Sequence, residues 1–247
     1  MADYDYKAGK KRIDDILSNE LEVIEKDKLP SDDKLTFDNG YFSWVTGIFV
    51  DIRNSSNIFA NEDKEKVSKI VRCFTSEIIE ILRDDDNKRE IGIRGDCVYA
   101  IYTTPQESDI FEVVDKSFYI NTYLKMLNKT LKENEFDEIK AGIGISSSQE
   151  LIVKAGRKGV DINNKVWIGD AVTKASNLSS LGDKDGVERI VMSEHTYLNI
   201  IDKLIERNGE DAKTWLNKHN DTKYGIYYDA NIIKITFNNW INEGMTD

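Results

Sequence analysis

Cysteine is almost absent: among 247 residues only Cys73 and Cys97 carry a thiol, with no CxxC pair and no Cys/His spacing. That excludes a disulfide framework and a zinc ribbon, and it fits an intracellular protein. Long apolar runs are missing too. The longest uncharged stretch, Asn39 to Val50, falls short of the about 20 apolar residues that a membrane helix needs, and the opening MADYDYKAGKK has charge but no apolar signal core. A cytoplasmic protein without a membrane partner is expected. Positive charge is in deficit: 34 Lys and Arg face 45 Asp and Glu, a net charge of −11 with a pI near 4.9. An acidic surface repels phosphate backbones, so nucleic acid is excluded as a partner. A polyphosphate ligand would have to be drawn in by a local cluster of cations.

What is present supports a sizeable core, with 40% apolar and 10% aromatic residues. Ile13, Ile16, Leu17, Leu21 and Ile24 recur at spacings of three and four, which predicts an amphipathic helix over Lys7 to Lys28. Asn39-Gly40 reads as a turn that launches a first core strand, YFSWVTGIFV, ending at Asp51. Val67, Ile70, Val71, Phe74, Ile78, Ile79 and Leu82 then share one helical face. Ile91 to Arg94 and Cys97 to Tyr102 form a hairpin with Asp96 at its tip, and a long helix follows over about Phe111 to Lys132. Ile139 to Ile145 and Glu150 to Lys154 read as a strand pair, Val166 to Gly169 precedes a helix starting near Asp170, and Arg189 to Met192 is a strand before a helix capped by Ser193. Tyr224 to Phe237 contains a closing hairpin. No repeat, linker or low-complexity tract interrupts the chain. The expectation is an α/β (α+β) fold with a helical extension over 1–40, one domain over 41–237, and a tail over 238–247.

Two carboxylates carry the chemical signal. Asp51 and Asp96 each stand where a hydrophobic strand ends, and both can face one crevice. A lone Asp after a strand ordinarily caps a turn or helix. A converging pair is a minimal cage for two Mn2+ or Mg2+ ions, hard cations that take a few oxygens and leave room for a triphosphate. Arg53-Asn54-Ser55-Ser56 offers backbone N–H groups and hydroxyls at a helix start, which suits a phosphate, and Arg157 and Lys158 add mobile cations. His195 at a helix start and His219 in a polar loop lack a partner for a catalytic dyad. Cys97 is expected as a small core residue pointing away from the metal Asp.

GIFVDIRNSS, IGIRGDCVYAIY, VWIGDAVTKASNL and ERIVMSEHTYL, in that order and spacing, resemble the class III nucleotidyl cyclase homology domain over about Tyr41 to Ile201. The resemblance implies a ferredoxin-like core with an antiparallel-rich sheet flanked by helices. It also implies a head-to-tail homodimer with active sites built from both protomers. The implied reaction is in-line attack of the ribose 3′-hydroxyl on the α-phosphate with loss of pyrophosphate. The family's two metal-binding aspartates fall on Asp51 and Asp96, with the carbonyl of Ile52 as a further ligand.

The departures matter as much. The positions that read adenine in purine cyclases fall on Gly92 and Val166, which cannot do so and do not match guanylate cyclases either. The Asn and Arg that contact the transition state fall on Thr173 and Asn177. Asn177 carries no charge, so Arg94, Arg157, Lys158 or Lys174 would have to serve. Either the chain is an inactive homologue or it is rebuilt for another base. Retention of both carboxylates favours the second, because paired acidic groups without cations are costly to hold together. The N-terminal helix, KLTFDNGYF and FVDIRNSS also resemble the pyrimidine cyclases of bacterial Pycsar anti-phage systems. That implies UTP converted to 3′,5′-cyclic UMP, a messenger acting on a separate effector, with CTP to cyclic CMP as the alternative. Phe49, Arg94 and Trp167 are candidates near the base.

Overall fold

Along 47–52, Gly47, Phe49 and Asp51 alternate with Ile48, Val50 and Ile52, so an extended chain there offers unlike faces to its two sides. In the computed structural model, which describes residues 3–55 and 63–246, this stretch is the end of the central strand β2 (Asn39–Ile52). It pairs antiparallel with β4 (Cys97–Thr103) on one side and β5 (Ala141–Arg157) on the other. Beyond β4 lies β3 (Lys88–Arg94). Beyond β5 come β7 (Ile190–Ser193), β9 (Gly225–Ala230) and β8 (Leu216–Asp221). β7 runs parallel to β5, and the other pairs on this path are antiparallel. β1 (Glu22–Glu25) adds to the start of β2 in parallel, and β6 (Ile162–Ile168) folds back along the distal half of β5 as a ribbon.

One sheet face is the core. Ile48, Val50, Ile52, Val98, Ala100, Tyr102, Ile143 and Ile145 pack beneath the helices α2 (Lys64–Arg83), α3 (Glu107–Glu133) and α5 (Glu194–Asn208). α2 starts where the Asp63 carboxylate accepts from Glu65 N at 2.8 Å. Ile70, Phe74, Ile78 and Leu82, four residues apart, are its buried stripe. Tyr102 is fully buried, and its hydroxyl donates to the Leu82 carbonyl at 2.6 Å, so the phenol enters the core with its polar atom satisfied.

The other face receives α4 (Asp170–Ser179) directly on the backbone of β2 and β5. A Cβ at Gly142 or Gly144 would collide with main-chain atoms of this helix, and at Gly47 it would press on Ala171. The ferredoxin-like architecture, a mixed sheet flanked by helices, matches the expectation.

Several segment readings are corrected. α1 (Tyr6–Ser18) stops ten residues short of Lys28, because the chain turns to pair Glu22–Glu25 with Asn39–Phe42. Asn39-Gly40 is therefore strand, with Gly40 opposite Val153, and not a turn. The two short strands expected over 139–154 are a single strand of 17 residues. His219 lies in β8, not a loop, stacked on Tyr227 and 3.0 Å from the Asp229 carboxylate. Residues 235–242 form α6 (Ile235–Asn242), whose Ile241 is buried and whose carbonyl at that residue accepts from Lys129 Nζ at 2.6 Å. Among the described residues no helix is long and apolar enough to cross a membrane.

The glycine contact gives a direct test. Gly144→Ala pushes a methyl into the backbone of α4, which cannot rotate away as a side chain can. The expected cost is about 2 kcal/mol or more, seen as a lower urea midpoint with an unchanged slope.

Candidate active site

Cross-strand register assembles the site from the face that carries α4. Asp51 is opposite Cys97 on β4 and Gly142 on β5, and Phe49 is opposite Tyr99 and Gly144. Asp96 lies in the two-residue turn between β3 and β4, where Gly95 takes a φ of 66°. The Asp51 side chain is 30% exposed. Burial raises its carboxyl above the ordinary range, the Asp96 charge raises it further, and Arg53 opposes both. Cys97 is a correction. As the cross-strand partner of Asp51 it faces the site rather than the core, and burial, then the Asp51 charge, push its thiol up to about 12. It remains unsuited to nucleophilic work.

The turn after β2 holds the next candidates. Arg53 Nη1 donates to the Ser180 carbonyl at 3.1 Å and Nη2 to the Ser179 carbonyl, while Nη1 lies 4.0 Å from Asp51 Oδ2. Asn54 is exposed with a φ of 53°, a left-handed conformation that Asn tolerates. Ser55 is half-buried beside it, and Ser56 lies outside the described residues. Ile52 ends β2 with its side chain in the core, so only its carbonyl is left for the site.

Thr173 and Asn177 stand one turn apart on α4, both exposed. At the start of that helix the fully buried Glu150 accepts from Ala171 N at 2.5 Å and Ser148 Oγ at 3.1 Å through one oxygen, while the other has no partner. Burial holds its carboxyl above the usual range, against the helix N–H groups that lower it.

An aromatic wall stands beside the carboxylates. Phe49 stacks on Tyr99 with centroids 5.2 Å apart. Tyr99 Oη and Trp167 Nε1 each donate to Glu90 at 2.8 Å, so one carboxylate ties β3, β4 and β6 together. Burial, then the Glu90 hydrogen bond, push the Tyr99 phenol up to about 12. A Cβ at Gly92 would come within 2.8 Å of the Tyr99 ring, so the ring occupies the space that a longer residue there would need. Val166 points outward and Arg94 is exposed at the end of β3.

Arg157 and Lys158 are not part of this assembly within one chain. They lie at the distal end of β5, where Lys158 Nζ is 3.8 Å from Asp38 just before β2, about 40 Å along the strand from Asp51. Glu90, Tyr99 and Glu150 were not singled out from the sequence. The period-2 spacing Glu90-x-Gly92-x-Arg94 against Cys97-x-Tyr99 was the available signal for the first two. Among the described residues no group of three or more His, Cys, Asp and Glu side chains could hold a metal ion, so Asp51 and Asp96 stand as a pair.

Comparison with known proteins gives a consistent result. A family model described as "Adenylate and Guanylate cyclase catalytic domain" matches residues 38–224. A uridylate cyclase of Treponema porcinum is 55% identical over 244 residues, 99% of this chain and 83% of that protein. A uridylate cyclase of Gulbenkiania mobilis is 32% identical, covering 97% of this chain and 96% of its own length. The crystal structure of an adenylyl cyclase from P. aeruginosa aligns over 77% of this chain and 95% of its own with a TM-score of 0.61 at 17% identity, a likeness of fold.

Glu150 makes a pH prediction. A carboxyl with its folded pKa raised adds stability below the unfolded pKa and loses it as pH rises through the folded value. Glu150→Gln removes that loss. Its melting temperature relative to the parent protein is expected to be higher at pH 7.5 than at pH 4.5, checked by calorimetry at both.

Proposed function

The chain belongs to the adenylate and guanylate cyclase catalytic domain family, and from that membership we propose that it is a pyrimidine nucleotide cyclase converting UTP to 3′,5′-cyclic UMP and pyrophosphate. The observation that carries the reading is the Asp51 and Asp96 pair set at the foot of the Phe49–Tyr99 wall. The relatives named uridylate cyclase support UTP as the substrate. Cyclic CMP from CTP is the alternative, since the two bases differ at one edge that a single amide or hydroxyl can read.

The donor set fits a hard divalent cation. Two close carboxylates, one held above its ordinary pKa by burial and by the other, are the arrangement that bound positive charge relieves. Asp51, Asp96 and the Ile52 carbonyl would hold Mn2+ or Mg2+, two ions to a site. Bound there, such ions lower the pKa of the ribose 3′-hydroxyl and offset charge on the departing pyrophosphate. The protein's own groups do the rest. The Asn54 and Ser55 N–H groups bind phosphate oxygens, and Arg94, two residues before Asp96 at the end of β3, is the cation for the α-phosphate. Thr173 and Asn177 on α4 hydrogen-bond the ribose and the attacked phosphate. The wall of Phe49 and Tyr99, with Trp167 braced through Glu90, confines the base. Arg157 and Lys158 reach the triphosphate only from a second copy, which is what a head-to-tail homodimer supplies. The product acts as a messenger on a separate effector in anti-phage defence, in the cytoplasm, with neither nucleic acid nor membrane as a partner. The segment before residue 41 is an extension to this catalytic domain, and of the tail expected over 238–247 only the residues after α6 trail beyond it, since α6 packs on α3 through Ile241 and Lys129.

The neutral Asn177 favours a second reading, a homologue that binds nucleotide without turning it over. Incubation of the purified protein with ATP, GTP, CTP and UTP plus Mn2+, with products resolved by mass spectrometry, separates these. Cyclic UMP is expected, and Asp51→Ala or Asp96→Ala should lower its formation by at least about 10²-fold. Cyclic AMP as the main product, or binding without any pyrophosphate release, overturns the proposal.

A further inference from the structure

Arg53 follows a metal-site carboxylate by two residues, yet its donors do not face an open crevice. Its side chain is 12% exposed. Nη1 and Nη2 are taken by the main-chain carbonyls of Ser180 and Ser179 at the end of α4, and Nε is buried without a partner. The slot it occupies exists because residue 142, opposite Asp51, has no side chain. A Cβ there would collide with the guanidinium and with the Ser179 carbonyl.

The last carbonyls of a helix carry partial negative charge and lack intrahelical donors, so a cation that bonds two of them fixes the helix end. The buried Glu150 does the complementary job at the first turn. α4 is therefore pinned at both ends, and Asn177 is two residues from the Arg53 contact, about 3 Å along the axis. Asp51, Arg53 and Ser179 form one continuous link between the carboxylate strand and the helix that carries Thr173 and Asn177.

We propose that Arg53 is a positioning residue: it sets the placement of the Thr173 and Asn177 face of α4 relative to Asp51, and it does not contact the nucleotide. This rests on the cyclase reading of the same site, and it replaces a phosphate-binding role for this side chain.

The test is Arg53→Gln in the full chain. With UTP and Mn2+, kcat is expected to fall about 10²-fold, as misplacement of reacting groups does. The KM for UTP and the Kd for 3′-deoxyuridine triphosphate should stay within about threefold of the parent values, because no binding contact is removed. Amide hydrogen exchange should quicken in the peptide spanning 173–182. A tenfold rise in KM and Kd with kcat retained would mean that Arg53 binds the nucleotide, and unchanged exchange in α4 would mean that it pins nothing; either result overturns the proposal. Should Arg53→Gln not fold, Arg53→Lys carries the same test. Its single ammonium replaces a fork, so a smaller loss confined to kcat is expected, and no loss overturns the proposal. If the parent protein turns over no nucleoside triphosphate, the cyclase reading fails by itself, and the exchange comparison still decides whether Arg53 pins the helix.

Discussion

Everything at the site depends on a helix lying against the bare backbone of two strands. α4 reaches β2 and β5 because Gly47, Gly142 and Gly144 present no side chains on that face, and the distance so gained is what lets groups on the helix and on the strand ends converge. Such close packing brings unpaired helix termini into a dry environment, where orphan N–H and carbonyl groups are costly. The protein meets this with one buried acid at the start of the helix and one nearly buried base at its end, each matched in sign to the dipole it faces.

The same alternation that frees this face for chemistry builds the stability. Ile48, Val50 and Ile52 turn one way into the core beneath α2 and α3, while Phe49 and Asp51 turn the other. A one-residue slip in β2 would exchange the two sets, placing a carboxylate in the core and isoleucines in the crevice. Three-way pairing of β2 with β1, β4 and β5 makes that slip expensive, so the fold and the site are specified by one register.

Much of this was legible in the chain. A run of β-branched and aromatic residues located the end of β2, two short strands joined through Gly95-Asp96 located the β3–β4 hairpin, and apolar positions sharing one helical face located α2. The family resemblance and the positions of Asp51 and Asp96 came from ordered motifs. What stayed hidden was stabilised by distant partners. The continuity of β5 was obscured by Ser146-Ser147-Ser148, polar residues that interrupt the apolar pattern and are accommodated because Thr46 and Thr196 supply hydroxyl partners for Ser147 at 2.8 and 3.2 Å. β8 is a polar edge strand without an apolar pattern, and His219 finds Asp229 only across its register with β9. The contact of Arg53 with the end of α4 was hidden as well, since local sequence shows a cation after a carboxylate but not the Ser179 and Ser180 carbonyls that lie against it.

Gly92 and Tyr99 constrain how this pocket can change over evolutionary time. A side chain at position 92 has to displace the ring at 99, and moving or losing that ring deprives Glu90 of one of its two donors. Substitutions at 92 and 99 are therefore coupled and not additive. A new base-reading group at 92 comes with a change at residue 99, by displacement or by substitution, and with a loosened hold on Glu90. The base preference of this pocket is thus held by the pair of residues together and not by either one.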